Sequence, residues 1–359
     1  MKILVINPGS TSTKIGLFQD LDKQFEHVIR HSSEELAQFE NVTAQYDFRK
    51  QLIVDALVEN GVDMSQIEAI GCRGGASKPI PGGTYLVDEA VCKDQAESKI
   101  QHPSSLASLI GHELAKEYGI EAYFTDSPVT YELSDLASYS GLSDIKRHGR
   151  FHALNAKAVA QVFAQENQRD YKELNVIVCH MGGGITISMH QQGRAVDVTD
   201  AIAEGPMTPE RSGRLPSRDL VDLCYSGKYS HGEMKKKLQG EGGVYSYLGT
   251  ADMLEVEQAA ERGDEKARKI VDVLVYQVAK EIGAMAPVVN GRIDGVILTG
   301  GIAYSKYVVS ELSKRVGYLA DIAVYPGEME LEALAAGVYR VCRQNLTPKH
   351  YSENIKTTA

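Results

Sequence analysis

The sequence predicts an α/β fold of two related lobes, and three observations carry that expectation. The chain has 359 residues, about two domains' worth. Short β-branched strands alternate along it with helical stretches long enough to cover a sheet. A unit of strand, polar turn and strand returns nearly half a chain later: Val5-Ile6-Asn7-Pro8-Gly9-Ser10 can be laid over Val178-Cys179-His180-Met181-Gly182-Gly183. Each lobe is therefore expected to open on a β-hairpin whose turn faces a common cleft.

The elements follow in order. Ile3-Leu4-Val5-Ile6, within the strand expected at 2–6, is a continuous apolar run, 7–13 a polar turn, and Ile15 and Leu17 resume by alternation. Leu52, Ile53, Ala56 and Leu57 give the stretch 33–61 a helical face. Residues 67–72 read as a short buried strand, and 73–83 as a long loop rich in glycine and proline. A helix is expected over 103–118, then a strand at 123–125 that runs into Asp126. In the second half a helix near 153–165 precedes a strand at 176–179, a turn at 180–184 and a returning strand at 185–189. A long helix over 266–285 carries Ile270, Val273, Leu274, Val278 and Ile282 on one face. A strand at 296–298 ends at Gly300-Gly301, and a last helix covers 330–342. The expected lobes are 1–150, completed by the C-terminal helical segment 333–359, and 151–332.

Composition narrows the function. Hydrophobic residues make up 43% and charged ones 24%, enough for a sizeable core. The balance of 38 basic against 48 acidic residues gives a net charge of −10, which argues against a nucleic-acid or anionic-membrane partner. The densest basic run, Lys235-Lys236-Lys237, reads as a solvated helix face. An anionic substrate must then be met by a few placed cations. Five widely spaced cysteines without a CxxC pair predict a reducing cytoplasm, no disulfides and no zinc site. No signal-like segment and no run of ~20 apolar residues occurs, so no membrane association is expected.

Both hairpin turns suit an oxyanion. Glycine lets a ligand approach backbone N–H groups closely, and in the first turn Ser10, Ser12 and Thr13 add hydroxyls and Lys14 a charge. Neither turn is a P-loop or a GxGxxG motif. Gly300-Gly301-Ile302 follows a buried strand, where backbone can approach a ligand at the strand's carboxyl end. Arg73, before two glycines, and Arg211, within Thr208-Pro209-Glu210-Arg211-Ser212-Gly213, could form an anion site. His112-Glu113 lacks the second histidine of HExxH, since position 116 is Lys116, and His148 with His152 has no acidic or cysteine ligand near in sequence. No GxSxG supports a serine hydrolase. Asp126 and Glu332 are candidates for Mg²⁺, which usually takes one or two carboxylates plus substrate phosphates.

At this point the residues resemble a known family. Asn7-Pro8-Gly9-Ser10-Thr11-Ser12-Thr13-Lys14 is similar to the first phosphate motif of the acetokinase family, His180-Met181-Gly182-Gly183-Gly184 to the second, and Gly300-Gly301-Ile302 to its adenosine motif. Arg147-His148-Gly149-Arg150-Phe151-His152 resembles its R-x-Y-G-F-H segment, with His148 and Arg150 as departures. The motifs keep the family's order from residue 2 to about 343. Pro8, the triple glycine, Arg73-Gly74-Gly75, Pro209-Glu210-Arg211-Ser212-Gly213 and Tyr325-Pro326-Gly327-Glu328 most resemble its butyrate kinases.

The resemblance implies the actin, sugar-kinase and Hsp70 type of fold, with ATP and substrate in the cleft between two lobes. It implies ATP-dependent phosphorylation of butyrate or a related short acid, with Mg²⁺ as cofactor and at least a dimer. Arg73 and Arg211 take the places of the active-site arginines, His152 that of the cleft histidine, and Asn7 that of the γ-phosphate-side asparagine. Asp126 and Glu332 take the Mg²⁺ carboxylates, with Glu328 and Glu330 as competitors of Glu332 and Arg214 of Arg211. A second histidine of acetate kinases is replaced by Ala156. His180 and 182–184, with 300–302, are expected to hold nucleotide. Gly74, Gly75 and Phe151 are expected to line the acid pocket, since acetate kinases carry bulk after the first arginine. The alternatives are an acetate or propionate kinase, and a sugar-sensing binding protein on the same fold. The latter normally adds a helix-turn-helix segment, for which the strand starting at Ile3 leaves no room.

Overall fold

A computed structural model describes residues 1–75, 77–98 and 102–356, and it divides into two compact units, Met1–Tyr131 with Met329–Ala359, and Glu132–Glu328.

In the first unit β1 (Lys2–Pro8), β2 (Ser12–Gln19) and β3 (Asp22–Arg30) form an antiparallel meander. On the other side of β1 lie β4 (Ala69–Arg73) and then β6 (Glu121–Thr125), both parallel to it, with β5 (Thr84–Leu86) antiparallel at the edge. β1 carries the unbroken apolar run Ile3-Leu4-Val5-Ile6 because the middle of this sheet is covered on both faces. Neighbouring strand residues point opposite ways. Thus Gly71 meets Leu334 and Val338 of the helix Glu330–Arg343, while Cys72 meets Gly111 of the helix Ser104–Tyr118.

The second unit repeats the plan. β7 (Asn175–Met181), β8 (Ile185–Gln191) and β9 (Arg194–Val198) are an antiparallel meander, and β10 (Gly295–Gly300) and β11 (Ile322–Pro326) run parallel to β7 on its other side. The hairpin repeat read from the sequence is therefore a repeat of sheet order and strand sense. The helix Glu265–Met285 is capped by Asp264, whose carboxylate accepts from the amides of Lys266 and Ala267 at 2.9 and 3.0 Å. It buries Ile270, Leu274, Val278 and Ile282 as expected; Val271 is fully buried in place of Val273, which is only half-buried.

The division falls earlier than the expected 150/151. Residues 132–150 are fastened to the second unit by polar contacts. The buried Glu132 carboxylate accepts from Lys157 Nζ at 2.9 Å and from Ala195 N at 2.8 Å, and Ser134 N donates to Val196 O at 2.8 Å. Arg147 pairs with Asp197 at 2.9 Å and Glu204 at 2.8 Å. The chain returns to the first unit at Met329 rather than after 332, so Glu330 and Glu332 both belong there. All five cysteines are free thiols, and among the described residues no helix is long and apolar enough to cross a membrane.

Candidate active site

In the first unit the candidate residues gather at the carboxyl ends of the parallel strands, where open α/β sheets bind ligands. Asn7 lies near the end of β1, Arg73 ends β4, and Asp126 follows β6. Asn7 and Arg73 are buried, and both reach one carboxylate: Asn7 Nδ2 donates to Glu330 Oε2 at 2.8 Å, and Arg73 Nη2 lies 3.2 Å from Glu330 Oε1. Arg73 Nη1 is buried without a partner. A buried donor left open in this way costs stability unless something binds it.

Glu332 was expected here. Its carboxylate instead pairs with Lys23 Nζ at 2.8 Å, and both side chains are 37% exposed. Residues two apart on a helix face nearly opposite ways, so Glu330 takes the inner position and Glu332 the outer. Asp126 is buried with φ at +41°, and it is locked to the end of the long loop: its Oδ1 accepts from Gly83 N at 2.8 Å, and its N donates to Gly83 O at 3.1 Å.

Gly74 and Gly75 do not open space in the direction their side chains would take. A Cβ on Gly74 would lie 2.5 Å from Ser127 Cβ, and one on Gly75 would lie 2.2 Å from Ser105 Cα. The expected extra room beside Arg73 is filled by these two serines. Neither glycine has a positive φ, so no left-handed turn explains them either. Close packing of two backbone stretches is what requires glycine here.

The β1–β2 turn closes through Gly9 N donating to Ser12 O at 2.7 Å. Ser10 is exposed, while Ser12 and Lys14 are half-buried. Lys14 stands opposite Asn7 in the antiparallel register, so both side chains leave the same sheet face.

In the second unit the residues expected to hold nucleotide also converge. The His152 and His180 rings stack with centroids 3.9 Å apart and 12° between planes. Asn155 Nδ2 donates to His180 Nδ1 at 3.0 Å and to Thr299 Oγ1 at 3.1 Å, and His152 Nδ1 is 2.9 Å from Thr186 Oγ1. Glu328 lies 3.8 Å from His180 Nε2. The triple-glycine turn is held by Gly182 N donating to Gly184 O at 2.9 Å and by Thr208 Oγ1 donating to Gly183 O at 2.8 Å.

Arg211 lies against this turn. A Cβ on Gly184 would sit 2.5 Å from Arg211 Nη1, so only glycine admits the guanidinium. Nη1 donates to Ala201 O at 2.7 Å, while Nε is buried without a partner. Burial pushes the Arg211 guanidinium below its ordinary range. The competitor Arg214 is largely exposed, beside Glu281.

Gly300 has φ at +88°, a Cβ on it would lie 2.4 Å from Met181 O, and it exchanges two 3.0 Å hydrogen bonds with Gly327. Gly301 has nothing within 4 Å in its Cβ direction, an open surface where a ligand can lie on backbone. The Ile302 side chain is in the core, so only its backbone can border such a ligand. The Phe151 ring is buried edge-on to His190, with centroids 6.3 Å apart, rather than facing open space.

Sequence reasoning missed Asn155, Thr186, Thr208 and Thr299. Asn155 alone carried a signal, being three residues after His152 and so on the same helix face. Among the described residues no group of three His, Cys, Asp or Glu side chains could hold a metal by itself. Mg²⁺ usually takes only one or two carboxylates beside substrate phosphates, and the first unit holds two carboxylates away from solvent, the buried Asp126 and the half-buried Glu330.

Comparison with known proteins completes the picture. The model of the acetokinase family matches residues 129–325, more than half of the chain and nearly all of the second unit. The fold is similar to Porphyromonas gingivalis acetate kinase, with a TM-score of 0.78 at 18% identity over 95% of this chain and 99% of that one. It is similar to a propionate kinase from Francisella tularensis, with a TM-score of 0.73 at 20% identity over 96% and 100%. A ROK hexokinase from Thermus thermophilus matches with a TM-score of 0.51 at 15% identity over 96% and 100%. The fold is thus of the actin, sugar-kinase and Hsp70 type.

Proposed function

The chain belongs to the acetokinase family, a phosphotransferase family with a carboxyl acceptor, and we propose that it phosphorylates butyrate or a related short or branched acid with ATP, reversibly. The observation that carries this reading is Arg73: a buried guanidinium at a strand end that already holds a carboxylate, that of Glu330, and keeps one nitrogen open.

The chemistry needs little beyond charge and alignment. A carboxylic acid with a pKa of about 4–5 is ionised at pH 7, so the nucleophile needs no base. The obstacle is an anion approaching a polyanion. Arg73 orients the acid's carboxylate, and the phosphoryl group is met by Arg211 and His152. The 182–184 turn and His180 hold the nucleotide phosphates, and the open backbone at Gly301 takes the adenosine. Ser10, Ser12 and Lys14 line the phosphate side with Asn7. Mg²⁺, when bound, neutralises charge on the phosphates, and Asp126 and Glu330 are the carboxylates that would hold it or its waters.

Acid length is open between butyrate and the acetate or propionate named for the structural neighbours. Cytoplasmic location and a homo-oligomer of at least two chains belong to the same reading. The test is to mix purified protein with ATP, Mg²⁺, hydroxylamine and a panel from acetate to valerate, including isobutyrate. Acyl phosphates trap as hydroxamates, with the highest kcat/KM expected for four-carbon acids. Sugar binding without any hydroxamate would favour the sensor reading instead.

A further inference from the structure

The β1–β2 turn is gripped from behind by a residue that no motif marks. Arg49, on the helix Tyr46–Glu59, is fully buried. Its Nη1 donates to Gly9 O at 3.0 Å and to Thr13 Oγ1 at 3.1 Å, its Nη2 to Ser10 O at 3.2 Å, and its Nε to Gln45 Oε1 at 2.9 Å. Every one of these partners is neutral. A buried cation usually has an anion beside it, and among the described residues this one has none.

The backbone around it is sorted by sign. His31 N donates to Thr11 O at 2.9 Å, and Gly9 N to Ser12 O at 2.7 Å. The carbonyls of residues 9 to 12 therefore all accept from internal donors. The amides of Ser10 and Thr11, both exposed residues, meet no acceptor among the described residues. Thr13 Oγ1 accepts from Arg49 and lies 2.9 Å from His31 Nε2, so it too is engaged on the inner side of the turn. Successive outward amides backed by a fixed positive charge form a concavity for an anion.

We propose that Arg49 is a positioning residue for phosphate: it holds the carbonyls of Gly9 and Ser10 inward, leaves the Ser10 and Thr11 amides outward, and lends the turn an unneutralised charge. The proposal rests on the kinase reading only for the source of the phosphate, which there is the nucleotide. Burial pushes the guanidinium down to about 10, still well above neutral pH, so the charge persists.

The test uses inorganic phosphate as probe and thermal unfolding as readout, in wild type, Arg49→Met and Arg49→Lys. Phosphate should raise the wild-type Tm with concentration. The half-effect concentration should rise at least about tenfold in Arg49→Met and less in Arg49→Lys, which keeps the charge but not the fork. Millimolar guanidinium ion should restore part of the loss. The KM for ATP should rise alongside, with little change in the KM for the acid. Wild-type phosphate response in Arg49→Met, or a wild type that ignores phosphate, would overturn the proposal. If Arg49→Met does not fold, Arg49→Lys decides: an unchanged half-effect concentration and an unchanged KM for ATP would overturn it. A wild type that binds phosphate but forms no acyl phosphate would sink the kinase reading and leave Arg49's role standing.

Discussion

Asn7 and Glu330, 323 positions apart in sequence, share a 2.8 Å hydrogen bond, and the same carboxylate receives Arg73. Glu332 is excluded from that group by the helix geometry that places it beside Lys23. Glu330→Gln should lower kcat by roughly 10- to 100-fold, the range for lost supporting carboxylates, and raise the Mg²⁺ needed for half-maximal rate. Glu332→Gln should leave both within twofold and cost under about 1 kcal/mol, as exposed pairs do. A Mg²⁺ titration of the two variants decides; the reverse pattern would restore Glu332.

Arg73→Ala and Arg211→Ala should each lower kcat/KM by roughly 10²–10³, the scale of one lost transition-state donor. The split should differ. The proposed function gives Arg73 the acid, so its loss should raise the KM for the acid; it gives Arg211, which packs against the 182–184 turn, the phosphoryl group, so its loss should act mainly on kcat. Near-normal turnover in both would sink the assignment.

Acid should weaken the second unit through His190. The ring is fully buried, with Tyr171 OH at 2.6 Å and Ser188 Oγ at 2.8 Å, and burial, with Lys157 adding to it and Glu132 opposing, pushes its pKa down to about 3. The unfolded chain binds that proton near 6.5, so the folded state is favoured above that pH and loses the advantage as pH falls toward 3. From pH 7 to pH 5 this one group should remove about 2 kcal/mol. Urea titrations at both pH values should show a flatter dependence in His190→Gln; an equal slope would show that another group carries the acid sensitivity.

The two hairpins were legible because period-two alternation around a glycine turn has few other readings, and β1–β2 and β7–β8 fall where it placed them. The sorting of Glu330 from Glu332 was not legible. Spacing says that only one can face inward, but which one depends on the packing of Leu331 against Gly16 and of Leu334 against Gly71 in the sheet. Arg49 was hidden for a related reason. In sequence it is one more cation on a helix of mixed composition, and only the turn it reaches, some forty residues earlier, shows that it is buried. The serines beside Gly74 and Gly75 come from two other segments, so no local pattern announces that the space is filled.

That filled space decides what Gly75→Val should do. On the pocket reading, valine would take up room meant for the acid's extra carbons and leave acetate turnover intact or improved. The geometry predicts otherwise. The first added carbon falls 2.2 Å from Ser105 Cα and 2.5 Å from Ser105 Oγ, at the start of the helix Ser104–Tyr118, so the backbone itself must move. Overpacking of this kind costs about 1–3 kcal/mol, and the strain lands one residue from the Gly74 that follows Arg73. Activity toward acetate and butyrate should fall together by a similar factor, and the Tm should fall with them. Ser105→Gly in the Gly75→Val background should recover part of the Tm, because it removes the side-chain half of the clash. Retained acetate turnover at an unchanged Tm would show instead that the valine has found open space, and that these glycines do set the length of the acid.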